Sequence, residues 1–376
     1  MNVGGVEKAL LGLLSIIPMD QYEVHVGLIN KKGGFLSFMP KEMKIHEITT
    51  YQQYWRLIND PPLQYIKEFV KKGHLLEAVI HLFLYIHFKI TRNRYYFYKY
   101  ILRHEPVMDE NFDLAVSFAG PSQMMDYYIC KKVNAKRKCG WIHFDVSKFG
   151  IDKEMTAKLY KKYDKIFVVS ETGKQIFDRI FPQFAQKTDV FHNVVSPTQV
   201  REMAALGSTF EDDYTGKRIL TVGRISEEKG QRIAIEALKI ILDKGYDVKW
   251  YFVGDGKDRS YCEQLAEEYG ISNCVVFLGT QNNPYGYMRD CDIYMQPSRH
   301  EGYCITLAEA LCFGHPIVST DFTGAKEQLN ERKNSVVTGM SAKEMADGMI
   351  KVFDMPISTN VKMESNSDID KLLNII

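Results

Sequence analysis

Short apolar runs alternate with amphipathic stretches through the second half of the 376-residue chain. Runs rich in β-branched and aromatic residues predict buried strands, and the 3.6-residue spacing of the stretches between them predicts helices. The predicted strands are 218–222, 248–253, 274–278, 292–295, 316–319 and 335–337. The predicted helices are 231–244, 259–269, 305–313 and 342–353. This alternation predicts a parallel sheet covered by helices on both faces.

The first half repeats the pattern less regularly. Predicted strands are 23–29, 113–118, 138–144 and 165–169, and one long helical region fills 62–103. The chain length suits two α/β domains, which we place at 1–206 and 217–355, with a polar linker at 207–216. We expect the tail, 356–376, to pack back on the first domain. Such sheets bind ligands beyond the carboxyl ends of their strands, so a cleft between the two domains is the expected site.

The composition indicates a folded chain in a reducing compartment. Hydrophobic residues make up 45% of the chain and charged residues 25%. The seven cysteines are odd in number and form no C-x-x-C pair, which argues against a disulfide framework and against a zinc site. No signal-peptide pattern opens the chain, and the apolar stretch 75–90 is interrupted by Glu77, His81 and His87. We therefore expect a cytoplasmic protein with no transmembrane helix.

Charge is distributed unequally between the two halves. Lys and Arg exceed Asp and Glu by eight over residues 1–205, whereas acids exceed bases by seven in the remainder. A basic first half favours an anionic partner, such as a phospholipid surface or a pyrophosphate-bearing acceptor. Basic and aromatic residues are also interleaved over 81–103, which suits the inner face of the plasma membrane. An ordinary amphipathic core helix with snorkelling cations explains that segment equally well.

Two carboxylates, Glu301 and Glu309, flank a glycine turn in the segment 298–310. Glu301 falls on the loop after a predicted strand, and Glu309 falls in the following helix. Backbone N–H groups at the start of that helix can hold a diphosphate, and carboxylates accept hydrogen bonds from sugar hydroxyls. Each charge-assisted hydrogen bond of this kind contributes roughly 1.5 to 3 kcal/mol. The alternative is structural, because Thr306 and Glu309 have the spacing of a helix capping box.

Two cations lie on the loop that follows the first strand of the second half. Arg224 and Lys229 are five residues apart, with Gly223 and Gly230 beside them. They can clamp a departing diphosphate and stabilise its charge without a metal. The alternative is that both are solvated surface charges.

Taken together, these motifs resemble glycosyltransferase family 4. The resemblance is carried by Gly4, Gly5 and Lys8, by Arg224 with Lys229, and by Glu301 with Glu309, in that order, and it covers nearly the whole chain. It implies an α/β GT-B fold, with two Rossmann-like domains facing each other across a cleft. Members of the family usually begin with a strand leading into the Gly-Gly loop. Here the chain reaches Gly4 at once, so the first domain is expected to lack that strand.

The resemblance also implies roles for individual residues. Arg224 and Lys229 would bind the donor diphosphate, Glu309 the ribose and Glu301 the transferred hexose. His143 would lie near the reacting sugar, and Gly4 and Gly5 would form a flexible loop that admits phosphate and acceptor. The remaining donor-binding residues that it implies are Gly279, Tyr303, Cys304, Ile305 and Thr306.

The activity that follows is retaining transfer of a hexosyl unit from a UDP- or GDP-sugar. The expected acceptor is a glycan or a lipid-linked sugar in cell-surface polysaccharide biosynthesis. No metal, other cofactor or nucleic-acid partner is expected. Asp290 and Asp292 match the D-x-D pattern of metal-dependent transferases, but Asp292 leads directly into an apolar strand. The alternatives are a nucleotide-sugar-binding subunit without activity, and a GT-B epimerase or phosphorylase.

Overall fold

The computed structural model describes two compact units. Described are residues 4–29, 31, 33, 36, 39–48, 50–121, 124–148, 150–330, 332–358 and 368–376, with residues 50–54 described by their backbone only. The first unit comprises Met1–Val169, Lys174–Phe191 and Ser367–Ile376, and the second comprises Ser170–Gly173 and His192–Asn366. The chain thus enters the second unit at His192, before the predicted linker 207–216, and its last helix belongs to the first unit.

The first unit contains two parallel sheets. Its elements are α1 (Gly5–Leu14), β1 (His25–Leu28), β2 (Lys44–Glu47), α2 (Thr50–Asn59), α3 (Pro62–Lys71), α4 (Leu75–Thr91), α5 (Tyr95–Ile101), β3 (Asn111–Gly120), α6 (Met124–Lys132), β4 (Asn134–Ile142), α7 (Lys153–Tyr160), β5 (Lys165–Val168), α8 (Glu171–Ile180) and β6 (Thr188–Val190). β1 pairs with β2, and β3, β4, β5 and β6 pair in that order. The first three residues of α8 are assigned to the second unit.

The second unit is built on one six-stranded parallel sheet. Its elements are α9 (Pro197–Leu206), β7 (Lys217–Val222), α10 (Gln231–Asp243), β8 (Val248–Val253), α11 (Arg259–Glu268), β9 (Val275–Gly279), α12 (Tyr285–Asp290), β10 (Ile293–Gln296), α13 (Ile305–Leu311), β11 (Ile317–Thr320), α14 (Ala325–Leu329), β12 (Ser335–Thr338) and α15 (Ala342–Val352). The last helix of the chain, α16 (Ile369–Leu373), belongs to the first unit.

Strand order in this sheet is β12-β11-β10-β7-β8-β9. The order reverses between β7 and β10, which are adjacent and parallel. Such a reversal leaves a crevice beyond the carboxyl ends of the two central strands, because the connections from them leave toward opposite sides of the sheet. The loops that follow β7 and β10 therefore border the expected ligand site.

Alternate residues of the strands pack on opposite faces of the sheet. Ile219, Trp250 and Ile293 lie in one buried cluster, with α10 and α15, whereas the neighbouring Leu220, Tyr251 and Tyr294 lie in another. A parallel sheet buried on both faces produces the continuous apolar runs seen in the sequence. All six strands predicted in this half are confirmed, and their bounds differ from the predicted ones by at most one residue.

The helical region predicted over 62–103 is confirmed, and the structure divides it into three helices, α3, α4 and α5. Gly73, with φ +77°, separates the first two, and Arg92, with φ +57°, ends the second. Residues in this left-handed region cannot continue a right-handed helix. Within the described residues, no helix has both the length and the apolar character to cross a bilayer.

Candidate functional site

Lys229 and Glu301 meet at the carboxyl ends of β7 and β10. The Lys229 Nζ lies 2.5 Å from Glu301 Oε1, and the two side chains are 24% and 12% exposed. Burial alone would lower the pKa of Lys229, but the charge and hydrogen bond of Glu301 outweigh it and raise the pKa above its usual value. The ammonium is therefore held charged in a poorly solvated place. The two loops singled out from the sequence thus contribute one member each to a single ion pair.

A chain of buried polar side chains orients Glu301. Ser298 Oγ donates to Glu301 Oε1 at 2.7 Å, and Gln296 Nε2 donates to Ser298 Oγ at 2.8 Å. The Tyr294 hydroxyl donates in turn to Gln296 Oε1 at 2.8 Å. Since these three residues are spaced by two along an extended segment, their side chains share one side of it. These hydrogen bonds come from uncharged side chains, and they fix the orientation of the Glu301 carboxylate that pairs with Lys229.

The loops after β7 and β10 are joined through their backbones. Arg299 N donates to Glu228 O at 2.8 Å. Gly230 has φ +73°, and a Cβ placed on it would lie 2.0 Å from Pro297 O. Only glycine suits that position, because it both tolerates the left-handed conformation and leaves room for the opposite loop. This close approach accounts for the glycine that follows Lys229.

Arg224 is placed differently from Lys229. Its side chain is 68% exposed, and its Nη1 lies 4.0 Å from Glu228 Oε1. Its carbonyl accepts a hydrogen bond from Gln231 Nε2 at 3.0 Å. The guanidinium is therefore loosely held at the rim of the loop that carries Lys229, and the role predicted for it stays a prediction.

The start of α13 does not have the capping box that the sequence allowed. The helix begins at Ile305, with Cys304 as its N-cap and no side-chain cap. Thr306 lies inside the helix and its Oγ1 donates to Gln296 Oε1 at 3.2 Å. Cys304 N and O lie 2.9 and 3.1 Å from the Gln328 amide, when that amide is oriented to bond both. Tyr303, Cys304 and Ile305 are buried.

Glu309 is a buried carboxylate. It is 3% exposed, and the Tyr285 hydroxyl donates to its Oε1 at 2.6 Å. Burial, followed by the charge of Glu309, raises the pKa of Tyr285 above its ordinary value, so Tyr285 remains a donor. Tyr285, the first residue of α12, thus helps to orient the carboxylate.

Gly279 ends β9 at the same edge of the sheet. It has φ +70°, and its carbonyl accepts from Gly254 N at 2.8 Å. Gly254 follows β8, and a Cβ there would lie 2.0 Å from Gly223 O. The turns after β7, β8 and β9 are thus packed backbone to backbone.

The sequence analysis did not single out Glu327. Its carboxylate accepts from Glu171 N at 3.0 and 3.1 Å and contacts His192 Nε2 at 2.9 Å. Burial alone would raise the pKa of Glu327, but these hydrogen bonds lower it below the usual range. The His192 ring lies 6.0 Å from that of Tyr303. Glu171 and His192 belong to the second unit because residues 170–173 and the chain from residue 192 onward are both part of it. These groups meet only through the tertiary structure, so no local sequence pattern indicates them.

The remaining predicted residues belong to the first unit. His143 follows β4, and its ring lies 4.4 Å from that of Phe118 and 6.2 Å from that of Trp141, which it stacks against. Gly4 is the N-cap of α1 and Gly5 is its first residue. The roles predicted for these three residues stay predictions.

The D-x-D pair is held by other contacts. Asp292 Oδ2 accepts from Arg218 N at 2.8 Å, at the edge of the sheet opposite to the Lys229–Glu301 pair. Asp290 is bonded to Arg289 and to Thr209. Both carboxylates are therefore engaged in holding β10 and α12 in place.

The arrangement of the second unit is that of a Rossmann-like domain, with charged groups at its switch point. Residues 210–369 match the family model for glycosyl transferases group 1. This part of the chain is therefore similar to group 1 glycosyl transferase domains, which are domains of transferase enzymes.

Curated relatives agree with this assignment. The uncharacterized glycosyltransferase MJ1059 of Methanocaldococcus jannaschii is 28% identical over 177 residues, which cover 45% of this chain and 43% of that protein. An N-acetylgalactosamine-N,N'-diacetylbacillosaminyl-diphospho-undecaprenol 4-alpha-N-acetylgalactosaminyltransferase of Campylobacter jejuni is 23% identical over 373 residues, covering 96% of this chain and 93% of that protein. The chain spans about half the length of several curated relatives that it matches, MJ1059 among them.

Solved structures share the fold. The Anabaena protein HepE, in complex with UDP and glucose, aligns over 99% of this chain and 94% of its own, with a TM-score of 0.64 and 17% identity. At this identity the likeness shows the fold, which is GT-B, with two Rossmann-like units. The expected fold class, an α/β GT-B fold with two Rossmann-like domains, is confirmed.

Proposed function

We propose that the protein transfers a hexosyl unit from a nucleotide diphosphate sugar, a UDP- or GDP-sugar, to a glycan or lipid-linked acceptor, with retention of anomeric configuration. The observation that carries the proposal is the ion pair of Lys229 and Glu301 at the reversal point of the six-stranded sheet. A cation there faces the departing diphosphate, and an oriented carboxylate receives hydrogen bonds from the sugar hydroxyls.

Bond breaking at the sugar places negative charge on the departing phosphate oxygen. Lys229, held charged by Glu301, stabilises that oxygen from a site of low solvation, where a fixed charge has a larger effect than in water. Arg224 at the loop rim supplies a second cation that closes on the phosphates when the donor binds. The acceptor hydroxyl forms the new bond to the anomeric carbon and gives its proton to the departing phosphate.

The two carboxylates serve the two sugars of the donor. Glu301, oriented by Ser298, receives hydrogen bonds from the hexose. Glu309, oriented by Tyr285, receives those of the ribose. Since a carboxylate only accepts hydrogen bonds, each recognises a hydroxyl donor and discriminates against a deoxy analogue.

Two relatives support the choice of substrates. HepE was solved with UDP and glucose, which supports a UDP-hexose as the first donor to test. The Campylobacter jejuni relative is named for an acceptor on diphospho-undecaprenol and matches nearly the whole chain, which supports a lipid-linked acceptor. We extend both to this chain as proposals, together with membership of glycosyltransferase family 4 and a role in polysaccharide biosynthesis.

The proposal is tested by titrating UDP and GDP into the full chain by calorimetry, and by following transfer from radiolabelled UDP- and GDP-hexoses. We expect Lys229→Ala and Glu301→Gln to lower kcat/KM by about 10²–10³, the usual loss when one group that stabilises transition-state charge is removed. Lys244→Ala is the matched control, because Lys244 also pairs with an acid, Asp347 at 3.0 Å, on the exposed surface. It should leave kcat/KM unchanged.

Three results would oppose the proposal. Wild-type turnover by Lys229→Ala would show that the ion pair has no part in the mechanism. Nucleotide binding without transfer to any glycan or lipid acceptor would favour a non-catalytic subunit. Free or rearranged sugar, in place of a glycosylated product, would favour a phosphorylase or an epimerase.

One helix of the first unit carries a surface suited to a lipid-linked acceptor. Leu76, Val79, Phe83, Ile86 and Ile90 are spaced by three and four residues along α4, and we call them the α4 apolar face. Their exposed fractions run from 47% at Ile86 to 78% at Ile90. Apolar side chains exposed in a continuous stripe mark an interaction surface. We propose that this face enters the headgroup region of an anionic bilayer, beside the acceptor lipid.

Charges around the face favour an anionic surface. The exposed residues at and near the ends of α4 include five cations, Lys71, Lys72, Lys89, Arg92 and Arg94. The nearby acids are engaged, since Glu68 is bonded to Arg56 and Glu77 accepts from the Tyr100 hydroxyl. Each cation close to an anionic leaflet adds about 1 kcal/mol to binding.

Vesicle co-sedimentation tests the α4 apolar face. We expect the full chain to bind phosphatidylglycerol vesicles and to bind neutral phosphatidylcholine vesicles more weakly. The variant Leu76→Ser with Phe83→Ser should bind anionic vesicles at least about tenfold more weakly, because two apolar side chains no longer enter the interface. Leu206→Ser is the control, since Leu206 is 87% exposed at the end of α9, in the other unit.

Equal vesicle binding by the double variant would exclude this face from the membrane. A second result would also exclude it: the wild type does not bind vesicles, and sedimentation shows a dimer that is absent in the double variant. In that case the face binds a second copy of the chain.

A further inference from the structure

Two histidines and a carboxylate converge in the first unit, at the β1–β2 sheet. His25, His46 and Glu110 each offer a ligand atom, and the three atoms lie within 4.8 Å of one another. The His25 Nδ1 and His46 Nε2 are 2.8 Å apart, with the rings stacked at a centroid distance of 4.9 Å. We propose that these three residues bind one divalent transition-metal ion, Zn²⁺, which ties the small β1–β2 sheet to the start of β3.

Strand register brings the two imidazoles to one face. β1 and β2 are parallel, with His25 opposite Lys44 and Gly27 opposite His46. Residues two apart on a strand point to the same side, so His25 and His46 are diagonal neighbours on one face of the sheet. Gly27 has no side chain, and a Cβ placed there would have nothing within 4 Å, so this position of the sheet does not crowd the two rings. The opposite face, with Val26, packs into the local hydrophobic cluster.

The third group comes from the next sheet. Glu110 directly precedes β3, and the following Phe112 packs edge-on against His25 with ring centroids 5.0 Å apart. Two imidazole nitrogens and one carboxylate oxygen form a ligand set that suits Zn²⁺, with a fourth position for water. An ion here would therefore join three segments that lie far apart in the sequence.

A partner of His25 resembles the outer shell of known metal sites. His25 Nε2 lies 2.8 Å from Glu23 Oε1, and a carboxylate can only accept a hydrogen bond from it. His25 therefore carries its proton on Nε2 and presents a lone pair at Nδ1. Metal-binding histidines usually donate their other ring N–H to such a carboxylate, which orients the ring. Glu23 is itself bonded to Lys44, so its charge is partly offset.

Without metal, His46 donates from Nε2 into the lone pair of His25 Nδ1. Binding needs His46 to move this proton to its other ring nitrogen, so that both rings present lone pairs. The rings must also separate slightly, since nitrogen ligands about 2.0–2.1 Å from one tetrahedral zinc ion stand farther apart than a hydrogen bond allows.

Calorimetric titration of Zn²⁺ into the chelator-treated full chain tests the site, with Co²⁺ absorption as a second readout of tetrahedral coordination. We expect one equivalent to bind and the melting temperature to rise with Zn²⁺ concentration. His46→Ala and Glu110→Gln should each remove this equivalent, and Glu23→Gln should weaken it about tenfold to a hundredfold. Glu110 is exposed, so its variant is expected to fold. The control is His104→Ala, which changes an exposed histidine of the same unit. It should bind Zn²⁺ as the wild type does.

Failure of the wild type to bind Zn²⁺ more tightly than His46→Ala overturns the proposal. So does a stoichiometric Co²⁺ spectrum that survives in both His46→Ala and Glu110→Gln, because the ion would then lie elsewhere. Donor transfer by the metal-free chain has no bearing on either outcome.

Discussion

The Lys229–Glu301 pair lies where an ion pair is costly to build. Removing two charges from water costs several kcal/mol for each ion, and their mutual attraction offsets this only when further hydrogen bonds are made. Here Ser298 supplies one to the carboxylate. A buried pair of this kind contributes little to stability, so its position at the carboxyl ends of β7 and β10 is better explained by ligand binding.

Glu327 should behave as a stabilising residue with a defined pH dependence. Its pKa is lowered in the folded state, chiefly by His192 and the backbone of Glu171 working against burial. A carboxyl whose pKa is lowered by folding stabilises the fold at pH values above its pKa in the unfolded chain. This contribution is lost as the pH falls through its pKa in the folded state. Glu327→Gln should therefore lower the free energy of unfolding by about 1–2 kcal/mol at pH 7.

The difference between wild type and Glu327→Gln should shrink as pH falls below 4.5, the ordinary value for glutamate. Urea denaturation at pH 7, 5 and 4 measures it. Glu263→Gln is the control, since Glu263 forms an exposed pair with Arg259 within one helix. A constant difference between wild type and Glu327→Gln at all three pH values would contradict the assigned hydrogen bonds.

The loops of the second unit are held together through their backbones, and Gly230 marks the close contact between the loops after β7 and β10. An alanine there would adopt φ +73° and place its Cβ 2.0 Å from Pro297 O. The left-handed conformation costs about 1–2 kcal/mol, and the collision adds about 1–3 kcal/mol. Because the loops must separate, Gly230→Ala should also weaken nucleotide binding, which calorimetry with UDP and GDP would measure.

Gly245→Ala separates the two effects. Gly245 has φ +86°, but a Cβ there meets nothing within 4 Å. This variant should lose stability through backbone strain alone and bind nucleotide as the wild type does. Equal losses of nucleotide affinity in both variants would show that the contact with Pro297 is unimportant.

The molecule is not divided at one point along the chain. The two units exchange short segments, and α16 returns to the first unit after the second is complete. Lys371 Nζ donates to Val190 O at 2.8 Å, and Leu372 is 4% exposed. The end of the chain is therefore part of the core of the first unit.

Leu372→Ala should destabilise the first unit by about 2–4 kcal/mol, through lost burial and the cavity it leaves. Nucleotide affinity of the second unit should be unchanged. Differential scanning calorimetry with and without nucleotide measures both, with Ile376→Ala as the control because Ile376 is 52% exposed. No change in melting for Leu372→Ala would mean that α16 does not stabilise the first unit.

The elements of the second unit were more predictable than those of the first. Its four inner strands, β7, β8, β10 and β11, are mostly buried, and all six strands contain apolar runs. In the first unit, β2 and β6 have only four and three residues, and neither was predicted. The four-residue strand β11 was predicted from its apolar run, but β2 (KIHE) and β6 (TDV) have no such run, so no local pattern indicated either strand.

The contacts among the side chains of the candidate site were not predicted. Lys229 and Glu301 were assigned to two parts of one donor, its diphosphate and its hexose, and the structure pairs them with each other. Three further residues were not predicted. Tyr285 donates to Glu309, Ser298 donates to Glu301, and Glu327 accepts from the backbone of Glu171. A hydroxyl or carboxylate that acts through another side chain leaves no motif in the sequence.

Local patterns were sufficient to give the α/β class, the strands of the second unit and the loops that carry Lys229 and Glu301, because burial on a strand or helix depends on residues only a few positions apart. The order of the strands placed β7 beside β10 and so made an ion pair between residues 72 positions apart. It was also tertiary packing that buried Glu309 against Tyr285 and brought His25 to His46. Hydrogen bonds between distant segments form only after the sheets have assembled, so their partners are set by the topology rather than by any local pattern.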